Sequence, residues 1–258
     1  MTVTPSSHGP LAAPTTALVT GAAGGLGTVI VNRLAAAGYR VLAADITEPG
    51  RPYPDGFVSC RLDVTDERSW TAAVRRCTDE LGGLGVLVNA AGVNIKGPVT
   101  SLSTEDYMTV VRVNQLGTFL GLRTAGAAMA SAGAGSIVLI TSIMAYQGGL
   151  GSIAYTASKF AVRGMTQVAA VELGPRGVRV NSVAPGIIDA GMGRRTVGDR
   201  HAEAARTVPL SRLGVADEVA EVVLYLAGPA GAYCNGTHLV VDGGWLAGRS
   251  TTWHQVGT

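Results

Sequence analysis

Charge is scarce in this chain. Of its 258 residues 15% are charged, and the formal balance is only +2. So small a balance, with no basic run interleaved with aromatics, argues against a nucleic-acid partner. Cysteine is equally sparse. Cys60, Cys77 and Cys234 are odd in number and share no metal-ligand spacing. They read as buried or incidental thiols of a reducing compartment, with no disulfide and no zinc site. No apolar stretch is long and unbroken enough to span a bilayer. The Pro-, Ser- and Thr-rich start has neither a basic n-region nor an apolar h-region, so a secretory signal is not expected. The cytoplasm is the expected location.

Apolar residues, by contrast, make up 47% of the chain. A chain of this length fits one large domain with a substantial core, and its apolar excess suits burial between subunits. Short apolar runs recur at Ala17 to Thr20, Tyr39 to Ala44, Phe57 to Leu62, Gly85 to Asn89, Ser136 to Thr141, Val178 to Val183 and His238 to Val241. Between most of them lie helix-length segments with apolar spacing of three to four. Such alternation predicts an α/β fold: a doubly wound, Rossmann-type parallel sheet of about seven strands, helices on both faces, in a single domain. The domain is expected over residues 16–245, between an arm at 1–15 and a tail at 246–258. In such sheets ligands bind beyond the carboxyl ends of the strands, where Gly21, Asp45, Asp63, Asn89, Ser142 and Pro185 fall.

Two local patterns carry chemistry. The first is Thr20-Gly21-Ala22-Ala23-Gly24-Gly25-Leu26-Gly27, between a predicted strand and a predicted helix. Gly21 permits a tight turn, while Gly25 and Gly27 allow close backbone approach. The helix N-terminus beyond Leu26 offers free N–H groups to a pyrophosphate. Asp45 ends the second strand and is followed by Ile46. A carboxylate there accepts from adenosine ribose hydroxyls and repels the extra phosphate of NADP. With no basic residue after Asp45 or in the glycine turn, NAD is expected over NADP.

The second pattern is Tyr155-Thr156-Ala157-Ser158-Lys159, with Ser142 upstream. Residues four apart share a helix face. A free phenol titrates at about 10, and a neighbouring ammonium lowers that value, which suits Tyr155 to proton transfer with a carbonyl or alcohol oxygen. Ser142 can hydrogen-bond the same oxygen. Taken alone, Tyr-x-x-x-Lys recurs by chance on many helices.

Together these patterns and several others resemble the short-chain dehydrogenase/reductase family from about Thr16 to Gly244. The shared elements run in order: the glycine turn, Asp63-Val64, Asn89-Ala90-Ala91-Gly92, Asn114, Ser142, Tyr155-x-x-x-Lys159, Asn181, Pro185-Gly186, Arg212-Leu213-Gly214 and Val240-Val241-Asp242-Gly243-Gly244. The resemblance implies that Tyr155 is the acid/base and that Lys159 lowers its pKa and holds the nicotinamide ribose. It implies that Ser142 positions the substrate oxygen and Asn114 supports a water linking Lys159 to solvent. Asp63 and Val64 would contact the adenine, and Asn89, Ala90 and Gly92 would line the adenosine side. Pro185, Gly186 and Ile188 would flank the nicotinamide. The chain departs from the family at Ala90, Gly85 and Ala190, where a second Asn, an Asp and a Thr are usual. Ala190 lacks the hydroxyl that grips the cofactor, and Asp189 or nearby backbone is the candidate substitute.

By the same resemblance, residues 187–208 form a lid, whose Arg194 and Arg195 either greet an acidic substrate or are merely solvated. Met144, Gln147 and Ile153 are expected to line an apolar pocket with Ser142 and Tyr155. The helices through Asn114 to Met129 and Tyr155 to Leu173 would pair subunits in a homotetramer, unless their apolar stripes face only their own sheet. The expected function is NAD-dependent interconversion of a secondary alcohol and a ketone, with no metal. The alternatives are an NADPH-dependent 3-oxoacyl-thioester (acyl-carrier-protein) reductase and a non-catalytic NAD-binding protein.

Overall fold

The computed structural model describes residues 15–47 and 57–248. The arm expected over 1–15 lies outside them but for Thr15, as does the tail from 249 onward. Seven strands form one sheet: β1 (Thr16–Thr20), β2 (Arg40–Asp45), β3 (Phe57–Arg61), β4 (Val86–Asn89), β5 (Gly135–Ile140), β6 (Val178–Pro185) and β7 (His238–Val241). Their order is β3-β2-β1-β4-β5-β6-β7, and every pairing is parallel. Parallel neighbours need crossovers, and helices supply them. These are α1 (Gly25–Ala36), α2 (Glu67–Leu81), α3 (Thr104–Val110), α4 (Gly117–Ala132), α5 (Ile153–Leu173), α6 (Gly191–Val197), α7 (His201–Arg206) and α8 (Ala216–Ala227).

The apolar runs divide by strict alternation between two cores, because successive side chains of a strand point to opposite faces. Leu18, Leu42, Leu87, Ile137, Leu139 and Val180 pack on one face with Trp70 of α2, Met129 of α4 and Val162 of α5. Ala17, Val19, Val41, Ala43, Val86, Val88 and Val138 pack on the other, against Ile30, Val31 and Leu34 of α1 and Val219, Val223 and Leu226 of α8. Trp70 is fully buried, and its indole N–H donates to the Val64 carbonyl at 3.0 Å.

Between α3 and α4 the chain forms a π-helical turn, Val111–Leu116. The helix expected through Asn114 to Met129 thus begins inside this widened turn and becomes α-helical only at Gly117. Single π turns concentrate at functional positions, and this one carries Asn114. No helix among the described residues is long and apolar enough to cross a membrane.

Candidate active site

The crossing point between β1 and β4 is where the strand order reverses, and the glycine turn sits there. Gly21 has φ +68°, and a side chain on it would meet Ala91 backbone at 2.8 Å. Gly24 N–H donates to the Gly21 carbonyl at 3.0 Å and closes the turn. No side chain caps α1, so its first N–H groups remain available to an anionic group such as a pyrophosphate. Asp45 arrives from the neighbouring strand and accepts from the Ala23 N–H at 3.0 Å and the Thr47 N–H at 3.3 Å. The carboxylate thus braces the loop and keeps lone pairs for further donors. Residue types alone do not disclose this brace, because its donor is a backbone atom of an alanine.

Gly25 has a different neighbour from the one its spacing suggests. A Cβ there would come within 2.6 Å of the Gly191 nitrogen, at the first residue of α6. The segment expected to form a lid therefore rests on the glycine turn, backbone against backbone.

The base of the site is a buried chain of hydrogen bonds. Thr20 Oγ1 donates to Asn89 Oδ1 at 2.7 Å, Asn89 Nδ2 to Thr118 Oγ1 at 3.1 Å, and Thr118 Oγ1 to the Asn114 carbonyl at 2.7 Å. Asn89 therefore ties β1 and β4 to α4. Asn114 Oδ1 accepts from Val93 N–H at 2.8 Å, and its Nδ2 donates to the Val93 carbonyl at 2.9 Å and to Ser158 Oγ at 3.0 Å. Its side chain is thus engaged in fixing the loop after β4 against α5. Thr20, Thr118 and Ser158 are members of this network that sequence reasoning left out. Buried hydroxyls at strand ends and on the inner faces of helices are the signal that finds them.

Ser142 follows β5 and accepts from the Met144 N–H at 3.1 Å. Its hydroxyl faces the Tyr155 phenol closely enough to pull the phenol's pKa down. Lys159 is buried one helical turn on, with its Nζ donating to the Ile140 carbonyl at 2.8 Å and 5.5 Å from the Tyr155 ring centre. Gly92 keeps the approach open, for a Cβ there would stand 3.3 Å from Asn114 Oδ1 and 3.6 Å from Lys159 Nζ. Asn114, Ser142, Tyr155, Lys159 and Gly92 therefore meet.

The electrostatics correct one expectation. Dense surroundings raise the Tyr155 phenol above its ordinary value, and only the Ser142 hydroxyl pulls it down. Burial pushes Lys159 down to about 8. Among the side chains as they stand, Tyr155 is a neutral proton donor and Lys159 sits near its protonation midpoint at mildly alkaline pH. If carbonyl reduction uses the phenol as acid beside an ammonium, kcat/KM for reduction should fall as pH rises through about 8. A rate profile from pH 6 to 10 checks this. A profile flat through that range would remove Lys159 from the reaction.

Other predicted residues are partly engaged elsewhere. Asp63 Oδ1 accepts from Thr65 N–H at 2.9 Å and Thr65 Oγ1 at 2.7 Å. Val64 turns its side chain into the core, where a Cβ on Gly117 would meet it at 2.9 Å, so only its backbone could serve a ligand. Asp189 pairs with Arg194 at 2.8 Å, and hydrogen bonding to that guanidinium holds its carboxyl low. One oxygen of Asp189 is thus engaged by Arg194, whose side chain is 65% exposed. Pro185, Gly186 and Ile188 lead from β6 into the lid, and Gly186 N–H donates to the Val241 carbonyl at 2.8 Å. Met144 and Gln147 are part-buried beside Ser142, and Ile153 opens α5 half-exposed. Gly97 N–H donates to the Gly151 carbonyl at 2.9 Å and closes the loop beside them. A cavity of about 460 Å³ bounded by Ile188, Val208, Leu210, Val240 and Gly243 contains none of the four residues expected to be catalytic, and meets the expected site only at Ile188.

The chain is similar in sequence and fold to known proteins. The family described as enoyl-(acyl carrier protein) reductase matches residues 21–246. The chain is 40% identical over 237 residues to a 3-alpha-(or 20-beta)-hydroxysteroid dehydrogenase of Mycobacterium tuberculosis, covering 90% of this chain and 89% of that one. It is 37% identical over 241 residues to D-threitol dehydrogenase of Mycolicibacterium smegmatis, covering 89% and 92%. Among solved structures it resembles levodione reductase, with a TM-score of 0.86, 31% identity and coverage of 90% and 97%. It also resembles ElxO with NADP bound, with a TM-score of 0.86, 29% identity and coverage of 91% and 100%.

Proposed function

The chain belongs to the short-chain dehydrogenase/reductase family, and from that premise we propose that it interconverts a secondary alcohol and a ketone, with NAD preferred and Tyr155 as acid/base. The observation that carries this reading is buried Lys159 one turn along the helix from Tyr155, its Nζ 5.5 Å from that ring, with buried Ser142 at the end of β5 beside the phenol. A bound nicotinamide would supply the hydride donor or acceptor. The chain's own residues do the rest. Ser142 and Tyr155 hold the substrate oxygen, Tyr155 gives or takes its proton, and Lys159 binds ribose and keeps positive charge beside the phenol. Asn114 positions the loop after β4. The uncapped turn from Gly21 to Gly27 would hold the pyrophosphate, and Asp45 and Ile46 the adenosine ribose.

The relatives named above act on a steroid, a sugar alcohol and a dione by their names, which supports a small-molecule alcohol or ketone as substrate. Phe160, Val168 and Val171 stand exposed along α5, and Leu116 and Phe119 before and on α4, which supports pairing of these helices between subunits of a homotetramer.

Initial rates with NAD(H) and NADP(H), across ketones, diols, steroids and 3-oxoacyl thioesters, test the proposal. Facing Asp45, a ribose phosphate meets like charge, and roughly a hundredfold preference for NAD(H) is expected. Asp45→Ser with Ile46→Arg should erase or invert it. A second reading, an NADPH-dependent 3-oxoacyl-thioester reductase, is favoured by the NADP in ElxO and by the acyl-carrier description of the matching family. Turnover of thioesters with NADPH alone would establish it and overturn the first.

A further inference from the structure

The loops after β4 and β5 leave adjacent strands at their carboxyl ends and are tied to each other. Gly97 N–H donates to the Gly151 carbonyl at 2.9 Å, and Gly97 and Ser152 form an isolated parallel bridge. Beside this tie each loop tightens into a turn. Ser101 N–H donates to the Pro98 carbonyl at 3.0 Å, and Ser152 N–H donates to the Gly149 carbonyl at 3.1 Å. Val99 takes the second place of the first turn, and Leu150 the second place of the other. Turns favour Gly, Pro, Asn, Asp and Ser, which bond their own backbone or suit its angles. Here both tips carry hydrocarbon instead, Val99 at 70% exposure and Leu150 fully exposed. Core packing does not account for side chains so open to water. Ile153, 43% exposed, opens α5 one residue beyond the tie and two before Tyr155. Met144 packs against the second turn, since a Cβ on Gly149 would stand 2.8 Å from its Sδ.

Charge is missing from the same wall. Residues 142–158 contain no Asp, Glu, Lys, Arg or His, and residues 89–103 contain only Lys96, which is exposed. One exposed ammonium is all that this wall offers a carboxylate or phosphate. Clustered apolar side chains beside a site gain instead from being covered by hydrocarbon.

We propose that Val99, Leu150 and Ile153 form an apolar shelf for the non-reacting end of the substrate, which is an uncharged secondary alcohol or ketone with a bulky hydrocarbon body. The inference rests on the reading that Ser142 and Tyr155 hold the substrate oxygen. With the oxygen held there, the body lies along the two tied loops and leaves water. A polyol would lay hydroxyls on the shelf and lose their hydration without new partners. The shelf takes no part in proton transfer. It acts on kcat/KM through the binding of a remote group.

Oxidation of cyclohexanol, 4-ethylcyclohexanol, 4-butylcyclohexanol and 4-hydroxycyclohexanecarboxylate by the full-length protein, with NAD or NADP, tests this. In the wild type kcat/KM should rise by about twofold per methylene laid on the shelf, and so by about tenfold from cyclohexanol to the butyl compound. The carboxylate should fall below cyclohexanol. In Leu150→Asp and Val99→Asp the gain from the butyl group should shrink to about threefold or less. Both side chains are exposed, so both variants should fold. No gain from the butyl group in the wild type, or a gain unaltered in both variants, would overturn the proposal. So would a carboxylate preferred over the butyl compound, which would give the wall to Lys96. Variants that change assembly in light scattering but keep the butyl gain would make the wall a subunit contact and overturn it equally. If nothing in the series turns over with either cofactor, the alcohol–ketone reading fails. Calorimetric titration of 4-butylcyclohexanol into the NADH complex then reads the shelf by itself. Binding about tenfold weaker in Leu150→Asp than in the wild type upholds the shelf, and equal or absent binding overturns it.

Discussion

Tyr155→Phe should lower turnover by roughly 10³- to 10⁴-fold, the usual contribution of a positioned acid or base. The substitution removes one oxygen and keeps the ring. The Ser142 oxygen beside the phenol accepts from the Met144 N–H, so the loop after β5 keeps its anchor. Stability should therefore change by less than about 1 kcal/mol. The glycine turn, Asp45 and Lys159 are untouched, and NADH affinity by fluorescence titration should stay within about threefold of the wild type. Loss of turnover with affinity kept is the outcome the proposed chemistry requires. Turnover within tenfold of wild type would mean that the proton moves elsewhere. A wild-type protein that binds NADH but turns over nothing would instead favour the non-catalytic binder.

Gly27→Ala is expected to be the most damaging single-methyl change in the chain. The added carbon would lie 2.0 Å from the Gly21 carbonyl oxygen, 2.7 Å from the Gly21 carbonyl carbon and 3.1 Å from Ala22 Cα. All three are backbone atoms, so no side chain can rotate aside. Relief requires α1 to retreat by about 1 Å from the end of β1, and close-packed interiors resist such shifts. Ile30, Val31 and Leu34 of α1 are buried against the sheet and α8, so the retreat would open that packing. A loss of about 4 kcal/mol or more follows, and the melting temperature should drop by about 8–16 °C. NADH binding should weaken as well. Gly38→Ala is the control: its φ of +88° strains any side chain, but the added carbon meets nothing within 4 Å. It should cost about 1 kcal/mol. Equal melting of the two variants would refute the packing argument.

The strands were legible because each is a short apolar run, buried on both faces in all but the edge strands β3 and β7, and the seven runs recur in the sheet with ends displaced by a residue or two. The π turn at Val111–Leu116 was not, since one widened turn barely disturbs an apolar period. Within the site, the residue types that stand together could be read from Tyr155-x-x-x-Lys159 and the glycine turn. Their supports could not. Asp45 braces an alanine N–H, Asn114 grips both backbone groups of Val93, and Lys159 donates to the Ile140 carbonyl. In each case one partner is main chain, which every residue carries and no composition reveals.

If residues 187–208 close over the substrate as the family resemblance implies, the contact of Gly25 with Gly191 binds two Michaelis constants together. One glycine belongs to the turn that would seat the cofactor, the other to the first turn of that segment. Neither can gain a side chain without pressing on the other's backbone. Affinity for the two reactants is thus not independently adjustable at this point, and a lineage changing one substrate constant here changes its coenzyme constant too.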